Sequence, residues 1–299
     1  MNQLKQCPIC HSTDHKIVME GVDYGYTKEE FNIVECHSCK FWFTNPIPDL
    51  EQIGEYYKSE NYISHTSSKK GLFERLYHIV RKRAIKKKFK LVSKGANKGQ
   101  LLDIGCGTGD FLNYVHEKQW RTKGLEPSDD ARELAVKKGL DVSHSSDLYR
   151  LPENTFDRIT LWHVLEHVYN LNEDLSQIKR LLKDDGLLFV AVPNRGSFDA
   201  QHYGKFWAAY DLPIHLYHFT PNDIRKLMRE HGMEVKEVLP MKFDSFYVSM
   251  LSEQYKKGSD KLSLGNIWKG FWTGLRSNMK ATNESFSSQI YIIKKSRPE

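Results

Sequence analysis

Residues 101–112, "LLDIGCGTGDFL", decide the fold because they join an apolar strand to a helix through a glycine turn. Gly105, Gly107 and Gly109 follow the apolar run directly. Glycines let the backbone turn tightly and approach a ligand, and the N-terminus of the next helix favours a negative group. The G-x-G-x-G spacing differs from the G-x-G-x-x-G of dinucleotide-binding folds. The stretch therefore predicts a nucleotide-like ligand at the tip of a strand.

The sequence beyond this turn alternates strands and helices. The segments at 122–139, 156–168, 172–186 and 187–194 read as strand-turn-helix, strand, helix and strand. This order is typical of an α/β fold with a doubly wound parallel sheet. We predict one such domain over 98–299, with lid insertions around 197–220 and 241–286.

Two acidic side chains extend the nucleotide pattern. Glu126 ends the second strand, where a carboxylate can accept hydrogen bonds from both hydroxyls of a ribose. Asp147 follows the presumed third strand, where an acid can accept from an adenine amino group while Leu148 covers the ring. These positions favour an adenosine.

In combination, "LLDIGCGTGDFL", "GLEPS", "FDRITLWHVLEHV" and "LLKDDGLLFVAVPN" resemble class I S-adenosylmethionine-dependent methyltransferases over about 100–235. The core is similar to that of the O-methyltransferases of ubiquinone biosynthesis. The resemblance implies a Rossmann-like, mostly parallel seven-stranded sheet, S-adenosylmethionine as cofactor, and methyl transfer. The residues it implies for the cofactor site are Asp103, Gly105, Cys106, Gly107, Gly109, Glu126, Pro127, Asp147, Leu148 and Trp162.

The segment "LWHVLEHVYN", 161–170, gathers two histidines and a glutamate among apolar residues. If it is helical, His163, Glu166 and His167 lie on one face. In the fold that the chain resembles, the end of the fourth strand faces the transferred methyl. Trp162 and His163 are therefore expected at the reaction centre.

The run H-x-x-E-H also resembles the E-x-x-E-H of two groups of metal-dependent O-methyltransferases. One group acts in ubiquinone biosynthesis, and the other methylates 2′-hydroxyls at small-RNA ends. Both take a further histidine from a downstream loop, and "DLPIHLYHFTP" offers His215 and His218 in a comparable place. His163 stands where those families have glutamate, which favours zinc, iron or manganese over magnesium.

Three roles stay open for these groups. They could act as a metal-free base, hold a second divalent metal, or be histidines with structural hydrogen bonds only. The catalytic candidates are His163, Glu166, His167, His215 and His218.

Two CxxC pairs at the start of the chain predict a structural zinc site. Cys7 and Cys10 are separated by 25 residues from Cys36 and Cys39. This pattern suits a zinc ribbon with four thiolates, whose closed coordination leaves no position for catalysis. We assign the ribbon to 1–48 and a helical linker with a basic helix to 49–97.

The net charge of +6 is concentrated, since 69–98 holds twelve Lys or Arg against one Glu. If this segment is an amphipathic helix, its basic face is either simply solvated or a surface that binds a phosphorylated substrate, RNA or anionic lipid. No apolar run of membrane-spanning length and no apolar leader is present, so a cytoplasmic protein without a transmembrane helix is expected.

An aromatic stripe occurs near the end of the chain. Trp268, Phe271, Trp272 and Leu275 follow helical spacing, which favours lid or core packing, with an oligomer or membrane contact as the alternative.

Three functions compete. The first is methylation of a hydroxyl or carbon on a small molecule, such as a sugar, a biosynthetic intermediate or a phosphorylated acceptor. A ribbon ahead of such a core resembles sugar C-methyltransferases. The second is RNA methylation, because some ribosomal RNA guanine methyltransferases also carry a four-cysteine module. The third is a non-catalytic adaptor that binds the cofactor. We predict the first, and the oligomeric state stays open.

Overall fold

The computed structural model describes residues 1–57, 72–96, 98–259 and 263–296, with the side chains of the first long helix described from Val80 onward. The start of the basic segment, 69–71, lies outside the described residues. The strands are β1 His15–Val22, β2 Glu30–Cys36, β3 Trp42–Thr44, β4 Gln100–Ile104, β5 Arg121–Leu125, β6 Val142–Ser143, β7 Phe156–Trp162, β8 Leu182–Pro193, β9 Tyr217–His218, β10 Met233–Pro240 and β11 Ser288–Lys295. The helices are α1 Ile53–Tyr56, α2 Leu72–Val92, α3 Asp110–Glu117, α4 Asp129–Lys137, α5 Leu171–Leu181, α6 Phe198–Tyr203, α7 Pro221–Glu230, α8 Asp244–Lys256 and α9 Leu264–Lys280.

A seven-stranded sheet organises the larger part of the chain, in the order β10-β11-β8-β7-β4-β5-β6. The strands from β8 to β6 pair in parallel, and β11 runs antiparallel between β8 and β10. Parallel strands need both faces covered, and β4 and β7 are accordingly buried along most of their length. The predicted mostly parallel seven-stranded sheet is confirmed.

The core lies on both faces of this sheet. Successive residues of β4 point to opposite sides, so Leu101 packs in one cluster with Leu112 and Phe189. Leu102 packs in the other cluster, with Ile159 among others. All four strands from β7 to β6 therefore end at one edge, which carries the predicted cofactor residues.

A second, four-stranded sheet has the order β1-β2-β3-β9. Its last strand comes from far along the chain, because Trp42 and Phe43 pair with His218 and Tyr217. The cysteine module and the histidine-bearing segment are thus joined by backbone hydrogen bonds. The boundaries 1–48, 49–97 and 98–299 stay a prediction.

The segment 161–170 differs from the helical interpretation. It ends strand β7, turns at His163 with φ of 58° and continues as one short 3₁₀ turn, Leu165–His167. Strand pairing to β8 holds Trp162 extended, so a regular helix cannot begin there. His163, Glu166 and His167 therefore lie on a tight turn and not along one face of a helix.

The aromatic stripe also departs from core packing. Trp268, Phe271 and Trp272 are exposed on α9, while Leu275 is half-buried. Small residues occupy the inner face of the helix instead. Among the described helices, none combines the length and the apolar character needed to cross a bilayer.

Candidate active site and metal centres

The glycine turn and Glu126 form one hydrogen-bonded unit at the ends of β4 and β5. The Glu126 carboxylate accepts the Gly107 N–H at 2.8 Å and the Ser128 N–H at 3.0 Å. Gly107 has φ of 55°, and a Cβ built there would meet no atom within 4 Å. Its neighbours Gly105 and Gly109 instead pack tightly, since a Cβ would lie 2.4 Å from Val164 and 2.5 Å from Leu140. The turn is therefore packed against the protein at Gly105 and Gly109. At Gly107 it faces open space, next to the buried Glu126 carboxylate.

Asp103 lies buried at the end of β4. Thr160 Oγ1 donates to Asp103 Oδ1 at 2.6 Å. Burial raises the pKa of Asp103 to about 7, although the Thr160 hydrogen bond and the charge of Lys88 oppose the rise. Lys88 from α2 thus brings a cation toward this edge of the sheet, and burial lowers its own pKa.

Trp162 closes the same edge at the end of β7. Its ring packs edge-on to Phe111 with centroids 5.6 Å apart, and Lys88 Nζ lies 4.4 Å from the ring centroid. Within the described part of the chain, the buried indole Nε1 has no hydrogen-bond partner. A buried donor without a partner is costly, so this atom is available to a bound group.

The remaining predicted cofactor residues flank the turn. Leu148 is buried and Asp147 is half-buried in the 3₁₀ turn Ser145–Tyr149, where Arg150 Nη1 lies 3.4 Å from Asp147 Oδ1. Pro127 is exposed after β5, and Cys106 is half-buried against Gly124. Burial raises the pKa of the Cys106 thiol, which makes it an inert packing group.

His163 is held by two carboxylates. Its Nδ1 lies 3.3 Å from Glu166 Oε1, and its Nε2 lies 3.1 Å from Asp244 Oδ2 at the start of α8. Burial alone would lower the pKa of His163, but these hydrogen bonds raise it to about 9. The ring is therefore an imidazolium at neutral pH, with both nitrogens donating.

Glu166, His167 and His215 form a compact cluster whose ligand atoms lie within 4.8 Å of one another. His167 Nδ1 lies 3.0 Å from the carbonyl of Ile214, and His215 Nδ1 lies 2.9 Å from that of Ala209. A carbonyl partner fixes the proton on Nδ1 and leaves the Nε2 lone pair free, as in most metal-binding histidines. Glu166 Oε2 is buried and has no hydrogen-bond partner among the residues that the structure describes.

The environment keeps both rings of this cluster neutral. Burial and the neighbouring His215 lower the pKa of His167 to about 4. Burial likewise lowers the pKa of His215. Glu166 stays ionised, because burial raises its pKa but the hydrogen bond and the positive charge of His163 lower it further. One carboxylate and two neutral imidazoles form a donor set that zinc, iron(II) or manganese accepts.

His218 lies outside this cluster. Its Nε2 lies 3.1 Å from Thr44 Oγ1, and burial lowers its pKa well below the usual value. The structure thus brings Glu166, His167 and His215 together, while His163 turns toward Asp244 and His218 toward the cysteine module.

The four cysteines of the CxxC pairs converge. Cys7 Sγ lies 3.5 Å from Cys39 Sγ, and Cys10 Sγ lies 3.4 Å from Cys36 Sγ. Burial raises the pKa of the Cys7 thiol, so its thiolate needs a neighbouring cation. The spacing is close to that of sulfurs around one tetrahedral zinc.

Comparison with known proteins decides the class of this site. Residues 76–238 match the family model described as a methyltransferase domain, which is more than half of the chain. The chain belongs to this methyltransferase family. It is an enzyme that uses S-adenosylmethionine as the methyl donor.

Two curated relatives of this methyltransferase carry the name ubiquinone biosynthesis O-methyltransferase. The protein of Maricaulis maris is 30% identical over 179 residues, which cover 54% of this chain and 67% of the relative. That of Bradyrhizobium diazoefficiens is 26% identical over 160 residues, covering 49% and 63%. The methyltransferase thus spans about two thirds of the length of these relatives.

Solved structures agree on the fold. Geranyl diphosphate C-methyltransferase from Streptomyces coelicolor matches with a TM-score of 0.52 at 12% identity, over 73% of this chain and 80% of that one. A methyltransferase from Thermotoga maritima matches with a TM-score of 0.50 at 21% identity, over 75% and 95%. The class I fold of this methyltransferase is confirmed.

Several residues that contact the candidate site could not be identified from sequence motifs. Asp244 and Thr44 contact the histidines from segments that carry no motif, and Lys88 was counted only as part of a basic run. Tyr57, whose hydroxyl lies 3.1 Å from His167 Nδ1, precedes the first gap in the described chain. For Lys88 the sequence gives one indirect indication, which is the high density of lysine and arginine around it.

Proposed function

We propose that this enzyme methylates a hydroxyl of a small-molecule acceptor at a divalent cation held by Glu166, His167 and His215. The observation that carries the proposal is the buried, unpartnered Glu166 Oε2 beside two imidazoles whose Nδ1 protons are fixed by carbonyls. One oxygen of this carboxylate pairs with His163, but the second buried oxygen is costly unless a further donor or cation satisfies it. The donor set matches a site that keeps positions open for an acceptor.

The cofactor would lie along the edge formed by β4, β5 and β7. Glu126 would accept from the ribose hydroxyls with the lone pairs that its two backbone N–H bonds leave free. Asp147 and Leu148 would bind the adenine, and the backbone around Gly107 would pass under the methionine part. Asp103 would accept from the cofactor ammonium, and Trp162 would close the methyl side.

The protonation states of the three histidines suit them to different roles. His163, an imidazolium between two carboxylates, has no lone pair and is unsuited to act as a base. We assign it the positioning of Glu166. His167 and His215 are neutral and can hold a metal. A divalent cation held by Glu166, His167 and His215 would lower the pKa of an acceptor hydroxyl, so that its proton could pass to water. The oxygen would then form a bond to the methyl carbon while the carbon–sulfur bond of the cofactor breaks and the thioether leaves.

The cysteine module is proposed to hold a structural zinc through Cys7, Cys10, Cys36 and Cys39. It would stabilise the sheet that β9 completes and thereby the backbone next to His215. The small-molecule assignment rests on the O-methyltransferase relatives and on the buried position of the cluster. A sugar or another biosynthetic intermediate fits this description. RNA methylation is kept only as an outcome of the test below.

The test is transfer of labelled methyl from S-adenosylmethionine into small-molecule extract, and separately into RNA. Wild type is expected to label small molecules, to lose that activity with chelator and to regain it with zinc, manganese or iron(II). Glu166→Gln should lose activity at least about a hundredfold. The matched control is Glu173→Gln, an exposed acid on α5, which should behave as wild type.

Full activity in chelator would refute the metal part of the proposal. Labelling confined to RNA would refute the small-molecule part.

A further inference from the structure

The helical hairpin formed by α8 and α9 has its small residues inside. A Cβ at Gly270 would lie 2.5 Å from the Met250 Cα, and one at Gly274 would lie 2.8 Å from the Phe246 Cα. Asn266 and Ser277 complete the buried face of α9. The two backbones therefore approach one another closely, as helices do where small residues line their interface.

The outer face of this hairpin carries the large apolar side chains. Trp268 is 62% exposed and Trp272 is 52% exposed, with Phe271 between them. Phe243 and Tyr247 add two more exposed rings beside α8. A helix pair that faces water has the opposite arrangement, with apolar residues inside and polar residues outside. A contiguous apolar patch of this kind marks an interaction surface.

The charge around this outer face has one sign. The described residues of α9 include Lys269, Arg276 and Lys280 and no acid. The two carboxylates of α8 turn inward, Asp244 toward His163 and Glu253 toward the hydroxyl of Tyr203. The exposed charges of α9 are therefore all positive, with Arg276 and Lys280 lying over the Phe198 ring of α6.

Helix α2 continues this basic surface. Lys87 Nζ lies 5.1 Å from the ring centroid of Phe243, so the basic helix adjoins the hairpin. Among the side chains of α2 that are described, from Val80 onward, the exposed basic ones are Lys82, Arg83, Lys86, Lys87 and Lys90. Some of the excess positive charge of the 69–98 segment thus borders the exposed aromatic rings.

We propose that the outer face of the α8–α9 hairpin, together with the basic face of α2, docks on an anionic lipid bilayer. Tryptophan and phenylalanine side chains insert at headgroup level, and lysine and arginine side chains bind lipid phosphates. Such a helix lies on the surface and does not cross it.

A second copy of this chain is the less suitable occupant. In a two-fold dimer the same patch meets itself, which would bring Lys269 and Arg276 of each copy toward bases of the other. Like charges that meet in this way oppose association. An anionic surface supplies the opposite charge, so charge complementarity selects the lipid.

The test is co-sedimentation of the full chain with vesicles of phosphatidylcholine alone or mixed with phosphatidylglycerol. We expect binding to the anionic vesicles, weaker binding to the neutral ones, and loss at high salt because the charges are screened. The double variant Trp268→Ser, Trp272→Ser should reduce partition about tenfold or more. The matched control is Tyr26→Ser, an exposed aromatic in the β1–β2 connection.

Calorimetric binding of S-adenosylmethionine by each variant verifies that it is folded, and size-exclusion chromatography with light scattering reports the oligomeric state. Absence of wild-type binding to anionic vesicles would overturn the proposal. So would equal binding by the folded tryptophan variant. A wild-type dimer that the same variant converts to a monomer, without vesicle binding, would assign the face to a second copy.

Discussion

The Thr44 hydroxyl donates a hydrogen bond of 2.7 Å to the carbonyl of His215, across 171 residues of sequence. Thr44 ends β3 of the cysteine module, and His215 belongs to the proposed metal cluster. Both groups are buried. The module therefore supports the loop that carries a proposed metal ligand, and this hydrogen bond connects the proposed zinc site to the proposed catalytic cluster.

Replacing Thr44 by Val should weaken the cluster without altering the cofactor site. The change leaves a buried carbonyl without its donor, at a cost of about 1–3 kcal/mol. We expect affinity for the catalytic divalent metal to fall roughly tenfold, measured by competition with a chromogenic chelator. Thr155→Val removes an exposed hydroxyl bond and serves as the control. Unchanged metal affinity in Thr44→Val would contradict the connection.

Substituting both Cys7 and Cys10 by Ser should release about one zinc per chain. Two of the four sulfurs disappear, and the remaining pair cannot complete a tetrahedral site. Elemental analysis measures the loss, with Cys106→Ser as the control because that thiol lies at the glycine turn and outside the cluster. Equal zinc in the double variant and in wild type would show that the module binds no zinc.

Glu126→Ala should abolish binding of S-adenosylmethionine. The carboxylate holds the Gly107 and Ser128 N–H groups and is the proposed ribose acceptor. Loss of two charge-assisted hydrogen bonds should weaken binding about a hundredfold or more, measured by titration calorimetry. Glu133→Ala, on the exposed side of α4, should bind as wild type. An unaltered affinity of Glu126→Ala would place the cofactor elsewhere.

Cofactor affinity should depend on pH through Asp103. Its pKa is raised to about 7 by burial, so the free protein holds this side chain protonated at lower pH. Binding the cofactor ammonium needs the carboxylate, and the proton must then be released. Affinity should therefore fall toward tenfold per pH unit below about 7 and level off above it. Asp103→Asn should bind weakly with no such slope, and an equally steep slope in that variant would assign the titration to another group.

The sheet and the glycine turn could be predicted from the sequence because their signals are local. Strand β4, Gly107 and Glu126 lie within one strand-turn-helix-strand unit, where apolar runs and turn residues fix the order. The convergence of Cys7 and Cys39 followed equally from a spacing with few physical solutions. Parallel strands then bring residues from several strand ends to one edge.

The contacts that the histidines make could not be predicted, because they depend on pairing between segments that are distant in the sequence. The two-residue strand β9 has no recognisable pattern, yet it pairs with β3 and orients His218 toward Thr44. Asp244 contacts His163 because the first residue of α8 lies beside the end of β7, 81 positions earlier in the chain. The positive φ of His163 replaces the expected helix by a turn, and the modest enrichment of histidine at positive φ does not single out one position in a sequence.

The central claim is that the methyl group is transferred next to a metal ion, which Glu166, His167 and His215 hold and which binds the acceptor oxygen. Paramagnetic relaxation tests it without knowledge of the acceptor. Enzyme that keeps zinc in the cysteine module, but whose histidine cluster has been emptied by a chelator, is titrated with Mn²⁺ in the presence of S-adenosylmethionine labelled with ¹³C in its methyl group. We predict strong broadening of the bound methyl signal in wild type and none in Glu166→Gln, with both proteins binding the cofactor equally. A bound methyl signal that Mn²⁺ leaves sharp in wild type, or broadens equally in Glu166→Gln, would contradict the account.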